Sequence, residues 1–511
     1  MKTRILCLIS LCVSGYAQAQ IPEDALRLTW LQQTGTARSQ AIGGAMGSLG
    51  GDITATFTNP AGLGFYKTGE VVLSPGYNFL KNKSNFRETT VSDNKNSFQL
   101  GTSGAVFGFS NRYSRWSSGA FSIAVNRTAN FNSNILYKGV NNYSSYSEQY
   151  AEELAGARVS WNDQILGNNS LSIGSRMGYY TFLVDTATRN GLTQIVGAPE
   201  GIGNLNQQNL VQTTGGITEV AIGLAESTND KFYIGGSLGL PIVNFQRRVD
   251  YTETDATGNW RNGFDYSALN ETYTTKGIGL NAKFGLIFKP VHSLRIGLAV
   301  HTPTLYGLKD TYTANMTTAV ENVTAKPDTF KVTSGTILGN STPTYNYNLV
   351  SPWKVLLSGS YVFGDVEDVT KQKGFISADV EYISYKGSNY QSADQTSDNS
   401  YYDGINNTID LLYKGAFNAR LGGELKFKTL MARGGFSYYG NPYADTELKA
   451  SRMYVSGGLG YRDKGFFVDL TYVYGMQKDV NFPYRLSDKA NTFANVKGTN
   501  GTALLTVGTK F

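Results

Sequence analysis

The 511-residue chain carries 45 Lys and Arg against 39 Asp and Glu, with 58 Gly, 33 Tyr and 26 Phe but only 12 Pro. Its net charge of +6 is too small to indicate a nucleic-acid partner. Both cysteines, Cys7 and Cys12, lie close to the N-terminus. We therefore expect no disulfide framework, no thiol nucleophile, no metal site built on cysteine and no cofactor in the rest of the chain.

The first residues have the pattern of an export signal. Lys2 and Arg4 supply positive charge, Ile5 to Val13 form an apolar core, and Ala17-Gln18-Ala19 matches a signal-peptidase site. This apolar stretch is shorter than the roughly 20 residues that a transmembrane helix needs. The sequence therefore predicts a signal peptide at residues 1–19 and export through the general secretory pathway. Its removal would leave 43 basic and 39 acidic residues, a net charge of +4.

The segment that follows, residues 20–68, does not alternate between apolar and polar positions. Pro22-Glu23-Asp24 predicts the start of a short helix, because proline suits the first turn and acidic side chains suit the helix dipole. Gly and Ala recur from Gln33 to Leu63, which permits close backbone contacts. A segment of this size cannot bury a core alone. We expect it to be a plug, or hatch, inside a larger structure.

Residues 69–511 repeat an alternating pattern that is typical of transmembrane β-strands. Between Ile278 and Phe288 apolar side chains occupy every second position, and Leu294 to Val300 repeat the pattern after a short turn. The sequence predicts an all-β fold, a fourteen-stranded antiparallel transmembrane β-barrel with the hatch in its lumen. The expected strands lie near 69–80, 97–110, 118–131, 216–226, 231–248, 268–288, 293–312, 345–363, 374–388, 408–428, 430–442, 450–462, 465–480 and 499–511.

Aromatic residues and the last strand indicate an outer membrane. Trp116, Trp353, Tyr361 and Phe363 suit the aromatic girdles at the two membrane surfaces. The final alternating strand ends on Phe511, which resembles the signal that bacterial barrel-assembly machinery recognises. We therefore expect this machinery as a partner during biogenesis, and outer-membrane lipid and lipopolysaccharide as neighbours of the folded chain.

One expected loop, at about 132–215, is unusually long for a connection without a role. Ser147 to Ala157 favours a helix, and Leu171 to Leu183 favours a short hairpin. The loop is either a passive lid or a mouth that collects ligand, and the sequence leaves both open.

The hatch carries the clearest resemblance to a known family. The stretches Gly35-Thr36-Ala37-Arg38 and Gly43-Gly44-Ala45, and above all Asn59-Pro60-Ala61, resemble the hatch of FadL and TodX proteins, which are outer-membrane transporters of long-chain fatty acids and other hydrophobic compounds. The close match covers about residues 33–64. It implies passive transport of a hydrophobic or amphipathic small molecule, with Asn59, Pro60 and Ala61 in the gating hatch.

The same resemblance implies a sideways exit into the membrane, where the third strand kinks. Gly119, Ser122 and Asn126 are residues of that strand that would tolerate a kink.

Three basic residues are candidate contacts for the carboxylate of a ligand in the lumen: Arg295, Arg420 and Lys426. Acidic residues on nearby strands, Glu381, Glu424 and Asp469, would equally neutralise them. The pattern does not choose between these two readings. Asp379 and His301 lie in segments common in such proteins, and no ligand role follows for either.

Three functions are alternatives to transport: an outer-membrane hydrolase, a haemin receptor and a barrel partner of a secretion system. An outer-membrane hydrolase would need a nucleophile with a positioned base, but only His292 and His301 exist and no Gly-x-Ser-x-Gly elbow serves them. We expect the chain not to be an enzyme. A haemin receptor would need an iron ligand, and no histidine pair suggests one. A barrel that anchors or shuttles exported proteins for a secretion system has the same fold and composition, and it stays the main alternative.

Acidic loop residues offer no recognised metal site. Asp394, Asp398 and Asp403 do not have the spacing of a calcium-binding loop.

Overall fold

The computed structural model describes residues 22–30, 32–110, 115–157, 164–189, 192–321, 328–364, 372–394, 399–446, 448 and 450–511. The expected signal peptide at 1–19, and Asp398, lie outside these ranges. Among the described residues, no helix combines the length and the apolar character that crossing a membrane requires.

One closed antiparallel sheet dominates the structure. Its strands and a separate loop hairpin (β7 and β8) are β1 (Glu70–Leu73), β2 (Pro75–Phe86), β3 (Thr89–Leu100), β4 (Ser103–Ser110), β5 (Trp116–Asn130), β6 (Ser133–Asn141), β7 (Val184–Arg189), β8 (Leu192–Gly197), β9 (Leu205–Thr228), β10 (Phe232–Asp255), β11 (Tyr266–Val291), β12 (Leu294–His301), β13 (Leu305–Val320), β14 (Asp328–Thr333), β15 (Thr344–Val350), β16 (Lys354–Gly364), β17 (Gln372–Ser384), β18 (Asn389–Ser392), β19 (Gly415–Phe427), β20 (Leu430–Tyr439), β21 (Arg452–Asp463), β22 (Phe466–Asn481) and β23 (Ala494–Lys510).

Several neighbouring strands continue one another, so the barrel has fourteen spanning strands. The composite ones are β1 with β2, β3 with β4, β5 with β6, β12 with β13, β15 with β16, and β17 with β18. The last strand, β23, pairs with β22 on one side and with β1 and β2 on the other, which closes the cylinder. The predicted fourteen-stranded antiparallel barrel is confirmed.

The outer surface of this barrel is apolar. Along β22 the side chains alternate between buried and exposed, and the exposed set includes Leu470, Tyr472 and Tyr474. Two exposed aromatics, Trp353 just before β16 and Tyr361 on it, are separated by about 26 Å of extended chain at the usual rise per residue. That spacing suits a lipid-facing band about 25 Å tall between two aromatic girdles.

The first two spanning strands are longer than the predicted 69–80 and 97–110. They extend to Phe86 and start again at Thr89, joined by Arg87 and Glu88 with φ of 45° and 63°. Positive φ at both central residues is the geometry that matches the twist of a tight hairpin. Apolar alternation could not reveal these extensions, because polar side chains such as Lys81 and Asp93 occupy strands that rise beyond the apolar band.

The long loop is shorter than the predicted 132–215. Residues Ser133–Asn141 form β6, which pairs with the first part of β9, so the connection runs over 142–204. The expected helix is present at Glu148–Gly156. The expected hairpin at Leu171–Leu183 is wrong: Ile173–Tyr180 is a helix whose N-cap, Ser172, accepts a hydrogen bond from the Ser175 amide.

The remaining helices lie in the hatch and in the outer loops. They are α1 (Pro22–Thr29), α2 (Ala37–Ala41), α3 (Ala55–Thr58), a 3-10 helix (Pro60–Phe65), α4 (Glu148–Gly156), α5 (Gln164–Gly167), α6 (Ile173–Tyr180), α7 (Ser334–Ile337), a 3-10 turn (Tyr385–Gly387) and α8 (Ser400–Leu412).

Candidate ligand cavity and hatch

The hatch packs against the inner wall through wall glycines. At each of them an added methyl group would overlap a hatch atom, so the hatch approaches nearer than any other residue would allow. The glycines and the hatch residues they meet are Gly235 with Pro60, Gly285 with Asn59, Gly297 with Gly47, Gly422 with Ile42, and Gly435 with Gly43. The position of the hatch is therefore determined by the glycines of the wall as well as by the sequence of the hatch.

Asn59, Pro60 and Ala61 pack against two of these glycines, Gly235 on β10 and Gly285 on β11. The Asn59 side chain is 1% exposed; its Nδ2 donates to Gly47 O at 2.6 Å and to Leu286 O at 3.3 Å, while its Oδ1 accepts from the Ala61 amide at 3.2 Å. Pro60 opens the 3-10 helix, where its fixed φ is suitable and no amide is needed. The tripeptide thus joins two turns of the hatch to the wall strand β11.

A buried ion cluster holds a second part of the hatch. Arg433 on β20 lies 2.6 Å from Glu424 on β19 and 2.5 Å from Asp469 on β22, and all three side chains are almost completely buried. Arg38 of the hatch lies 3.5 Å from the same Glu424 oxygen. Nearby, Ala37 is bonded to wall hydroxyls through both its amide and its carbonyl. Charged groups taken out of water need such compensation.

The three predicted ligand contacts do not meet at one place. Arg295 donates to the hatch carbonyl of Leu49 and stacks 4.6 Å from the Phe65 ring centroid. Lys426 donates to Gln372 Oε1 at 3.3 Å. Neither residue lines the main cavity described below. Arg420 is bonded to Glu381 at 3.0 Å and lines a smaller chamber.

The main cavity has a volume of about 720 Å³ and lies on the outer side of the hatch. One side is apolar and aromatic, with Leu26, Trp30, Phe131, Phe245, Ile405 and Leu412. The other side is rich in amides from the first, second and last spanning strands, including Asn78, Asn82, Gln99 and Asn500. A cavity of this size, with an apolar wall and a few polar groups, is typical of sites for small amphipathic molecules.

Several basic side chains line this cavity, and some of them already have a partner in the protein. Arg485 lies 2.6 Å from Glu23, and Arg452 stacks 3.6 Å from the centroid of the Trp30 ring. Arg127 and Arg247 also line it, and neither makes an ion pair within the described part of the chain. These two guanidinium groups are better placed for an anionic head group than Arg295 or Lys426.

A second chamber of about 150 Å³ lies deeper in the lumen. It contains the buried ion pair of Lys283 and Glu219 together with His301, whose Nε2 is 2.9 Å from Thr58 O. The hatch residues Trp30, Gln32, Gln33 and Thr34 line both spaces. This short segment is therefore the partition between them.

The third spanning strand is interrupted beside the main cavity. The ladder between β4 and β5 ends at the pair Ser103 and Val125, and in the described residues no ladder joins β3 to β6. Its register against β9 shifts between Arg127 and Ala129. Two hydrogen bonds bridge the opening: Asn130 Nδ2 donates to Ser97 Oγ at 3.3 Å, and Asn134 Nδ2 donates to the backbone carbonyl of Asn94 at 3.4 Å. The expected irregularity exists, slightly beyond the tolerant residues Gly119, Ser122 and Asn126.

The 142–204 connection and the loop before β23 cover the cavity and are called the lid below, and a buried carboxylate holds the first of them to the barrel. Glu253, on β10 beyond its last exposed apolar side chain Ile242, accepts hydrogen bonds from Ser145 Oγ at 2.5 Å and Gln207 Nε2 at 3.0 Å. Burial raises the pKa of Glu253 above its usual value, although its hydrogen bonds oppose the rise. Tyr484 of the loop before β23 also donates to Ser144 O, which ties that loop to the 142–204 connection.

Sequence reasoning missed Arg433, the partition residue Gln32 and the lid residue Glu253. Their roles depend on partners far away in the chain, and no short motif surrounds them. The wall glycines carried a partial signal, because paired glycines such as Gly422-Gly423 and Gly434-Gly435 interrupt otherwise regular strands.

No group of histidine, cysteine or carboxylate residues placed to hold a metal ion occurs in the described ranges.

Comparison with known proteins finds similarity at the level of structure only. No family model and no curated protein matches the sequence. A FadL homologue from Pseudomonas aeruginosa is 12% identical with a TM-score of 0.55, over 94% of this chain and 100% of that one. The toluene transporters TodX of Pseudomonas putida (12% identity, TM-score 0.48) and TbuX of Ralstonia pickettii (14%, 0.46) align over 94% of this chain and 99% of their own. The chain has the fold of the FadL homologue, and the expected resemblance is confirmed for the fold.

Proposed function

We propose that this protein carries hydrophobic or amphipathic small molecules passively across an outer membrane, with long-chain fatty acids as the model ligand. The observation that carries the proposal is the position of the 720 Å³ cavity, which lies on the outer side of the hatch and beside the interrupted third spanning strand. Asn82, Arg127, Asn130 and Ser133 belong both to the cavity lining and to the region of the interruption. A ligand in the cavity is thus next to an opening in the wall.

A sideways route suits an apolar ligand physically. Returning apolar surface to water costs about 25 cal/mol per Å², so a path through a water-filled pore is unfavourable. Lateral exit would deliver the ligand from the cavity to the lipid without that cost. The hatch, docked through wall glycines and the Arg433 cluster, would keep the lumen closed to hydrophilic solutes during this transfer.

Within the hatch we assign different roles to its two ends. Asn59, Pro60 and Ala61 are closely packed against β10 and β11, which favours a fixed anchor for the gate. The partition formed by Trp30, Gln32, Gln33 and Thr34 has a cavity on each side, which favours a movable element. In this proposal the tripeptide supports gating by holding the rest of the hatch in place.

The first test is selective uptake. Purified protein in liposomes should accelerate transfer of radiolabelled oleate, while arabinose should not enter faster than in protein-free liposomes. Acceleration of both solutes would indicate an open pore, and acceleration of neither would overturn the transport proposal. Co-purification with secretion components in place of uptake would favour the alternative barrel partner of a secretion system.

A pair of variants on α8 tests whether the cavity is the route. Leu412 lines the cavity, and the adjacent Leu411 is 58% exposed and points away from it. L412W fills part of the cavity and should lower oleate uptake at least about threefold, since a bulkier side chain occupies space that the ligand needs. L411W is the matched control and should leave uptake unchanged. Equal effects of the two variants would place the route elsewhere.

A further inference from the structure

Gln32 makes an unusual connection between the hatch and the interrupted strand. Its Oε1 accepts from the backbone amide of Asn130 at 2.9 Å, and its Nε2 donates to the backbone carbonyl of the same residue at 3.2 Å. A single side chain therefore satisfies both backbone groups of one wall residue, as a neighbouring strand would do.

Asn130 lies at a point of the third strand where a neighbouring strand is missing. It is the last residue of β5, beyond the end of the ladder with β4 and just before the break that precedes β6. On its other side it is paired with Gly216 of β9. The side of the third strand that faces the opening has lost its strand partner here, and buried backbone groups without partners are costly. The Gln32 amide fills this position from the lumen.

A second hydrogen bond beside the Gln32 pair also joins the partition to the third strand. Asn126 Nδ2 donates to Thr34 Oγ1 at 3.3 Å, so the partition touches the third strand at two points. Gln33, between them, bonds instead to Gln40 O of the hatch and to Ser437 Oγ on the opposite wall. Within the partition, the hydrogen bonds described to the interrupted strand come from Gln32 and Thr34, on either side of Gln33.

We propose that Gln32 is the positioning residue that couples the hatch to the lateral opening. While its amide holds Asn130, the partition is closed and the edge of the opening is fixed. When the partition moves, the same event releases the edge of the third strand. The inference rests on the proposed transport function, but the coupling itself is a property of the protein without ligand.

Hydrogen exchange of the purified protein in detergent measures this coupling without transport. Loss of one net hydrogen bond changes a local opening equilibrium by about 2- to 10-fold. Q32A should therefore speed exchange of amides at 128–132 by about threefold or more. Q33A, which alters the same segment without touching the third strand, should leave them unchanged. Equal protection in Q32A and the wild type would overturn the proposal.

Coupling must also act in the reverse direction. The side chains of Ser97 and Asn130 meet across the opening, so the double variant S97C/N130C is designed to form a disulfide staple across it. The oxidised staple should slow exchange of the hatch amides at 32–36 at least about threefold, and reduction should reverse the effect. In a Q32A background the staple should not change hatch exchange. Persistence of the effect without Gln32 would show that the connection runs through other residues.

These results separate the coupling from the function. If wild-type protein moves no oleate but shows Gln32-dependent exchange, the coupling stands and the transport proposal fails. If oleate is transported but exchange is indifferent to Gln32, transport stands and the coupling role of Gln32 is wrong.

Discussion

Single glycines in the wall decide how close the hatch can come to the barrel. Gly285 has no room for a side chain, because a methyl group there would overlap Asn59 Oδ1. Gly434, on another wall strand, has no atom within 4 Å of the corresponding position. Both glycines have ordinary strand conformations, so the difference between them is one of space alone.

This contrast yields a stability prediction. G285A should displace Asn59 and lower the free energy of unfolding by about 1–3 kcal/mol, the usual cost of overpacking. G434A should be neutral or slightly stabilising, since alanine restricts the unfolded chain. Urea unfolding in detergent, followed by the gel shift between folded and unfolded barrel, measures both. Equal stabilities of the two variants would mean that the hatch is not docked as described.

The buried ion cluster yields a second prediction. R433L should cost about 3–5 kcal/mol in the same unfolding measurement, because Glu424 and Asp469 would be left buried without their shared partner. R248L is the matched control: Arg248 is 59% exposed in its pair with Asp250, and such surface pairs contribute about 1 kcal/mol or less. A loss in R433L no larger than in R248L would contradict the proposed role of the cluster.

At the scale of elements, apolar alternation was sufficient to locate most spanning strands. It failed where strands rise beyond the membrane, as at 81–86 and 89–96, because most side chains of those segments are polar on both faces. It also could not place Arg295, Arg420 and Lys426 relative to the cavity. The side of the barrel wall that each of them faces was predictable from strand period, but the position of the cavity was not, because the hatch and several distant segments of the chain form it together.

The lid gives a prediction about pH. Because burial raises the pKa of Glu253 in the folded state, its protonated form is favoured there, and the lid gains stability as the pH falls through that raised pKa towards the ordinary value. Protection of amides at 144–156, corrected for the intrinsic exchange rate, should therefore increase from pH 8 to pH 5.

A conservative pair of variants tests that assignment. E253Q should remove most of the pH dependence, since a neutral amide mimics the protonated carboxyl. E88Q, at an exposed hairpin turn, makes the same change of charge and should leave the pH dependence of amide protection unchanged. If the pH dependence of amide protection is unaltered in E253Q, a titrating group other than Glu253 causes it.

At the scale of the whole molecule, three features surround the main cavity and define a path from the outside to the membrane. The lid tied by Glu253 covers the main cavity, the hatch closes its floor, and the interrupted third strand opens its side. The barrel and hatch could be anticipated from alternation and from the Gly- and Ala-rich segment. The cavity between them could not be anticipated, because it is formed by residues of the hatch, α8 and six or more spanning strands that are distant in sequence.

The central claim is that ligand leaves the cavity through the opening between the second and third spanning strands. Oleate uptake into liposomes by S97C/N130C, oxidised and then reduced, tests it most directly. The account predicts that the oxidised staple lowers uptake at least about tenfold, and that reduction restores it to the level of the unmodified protein. Unchanged uptake with the staple fully formed, verified by its mobility on a non-reducing gel, would contradict lateral exit.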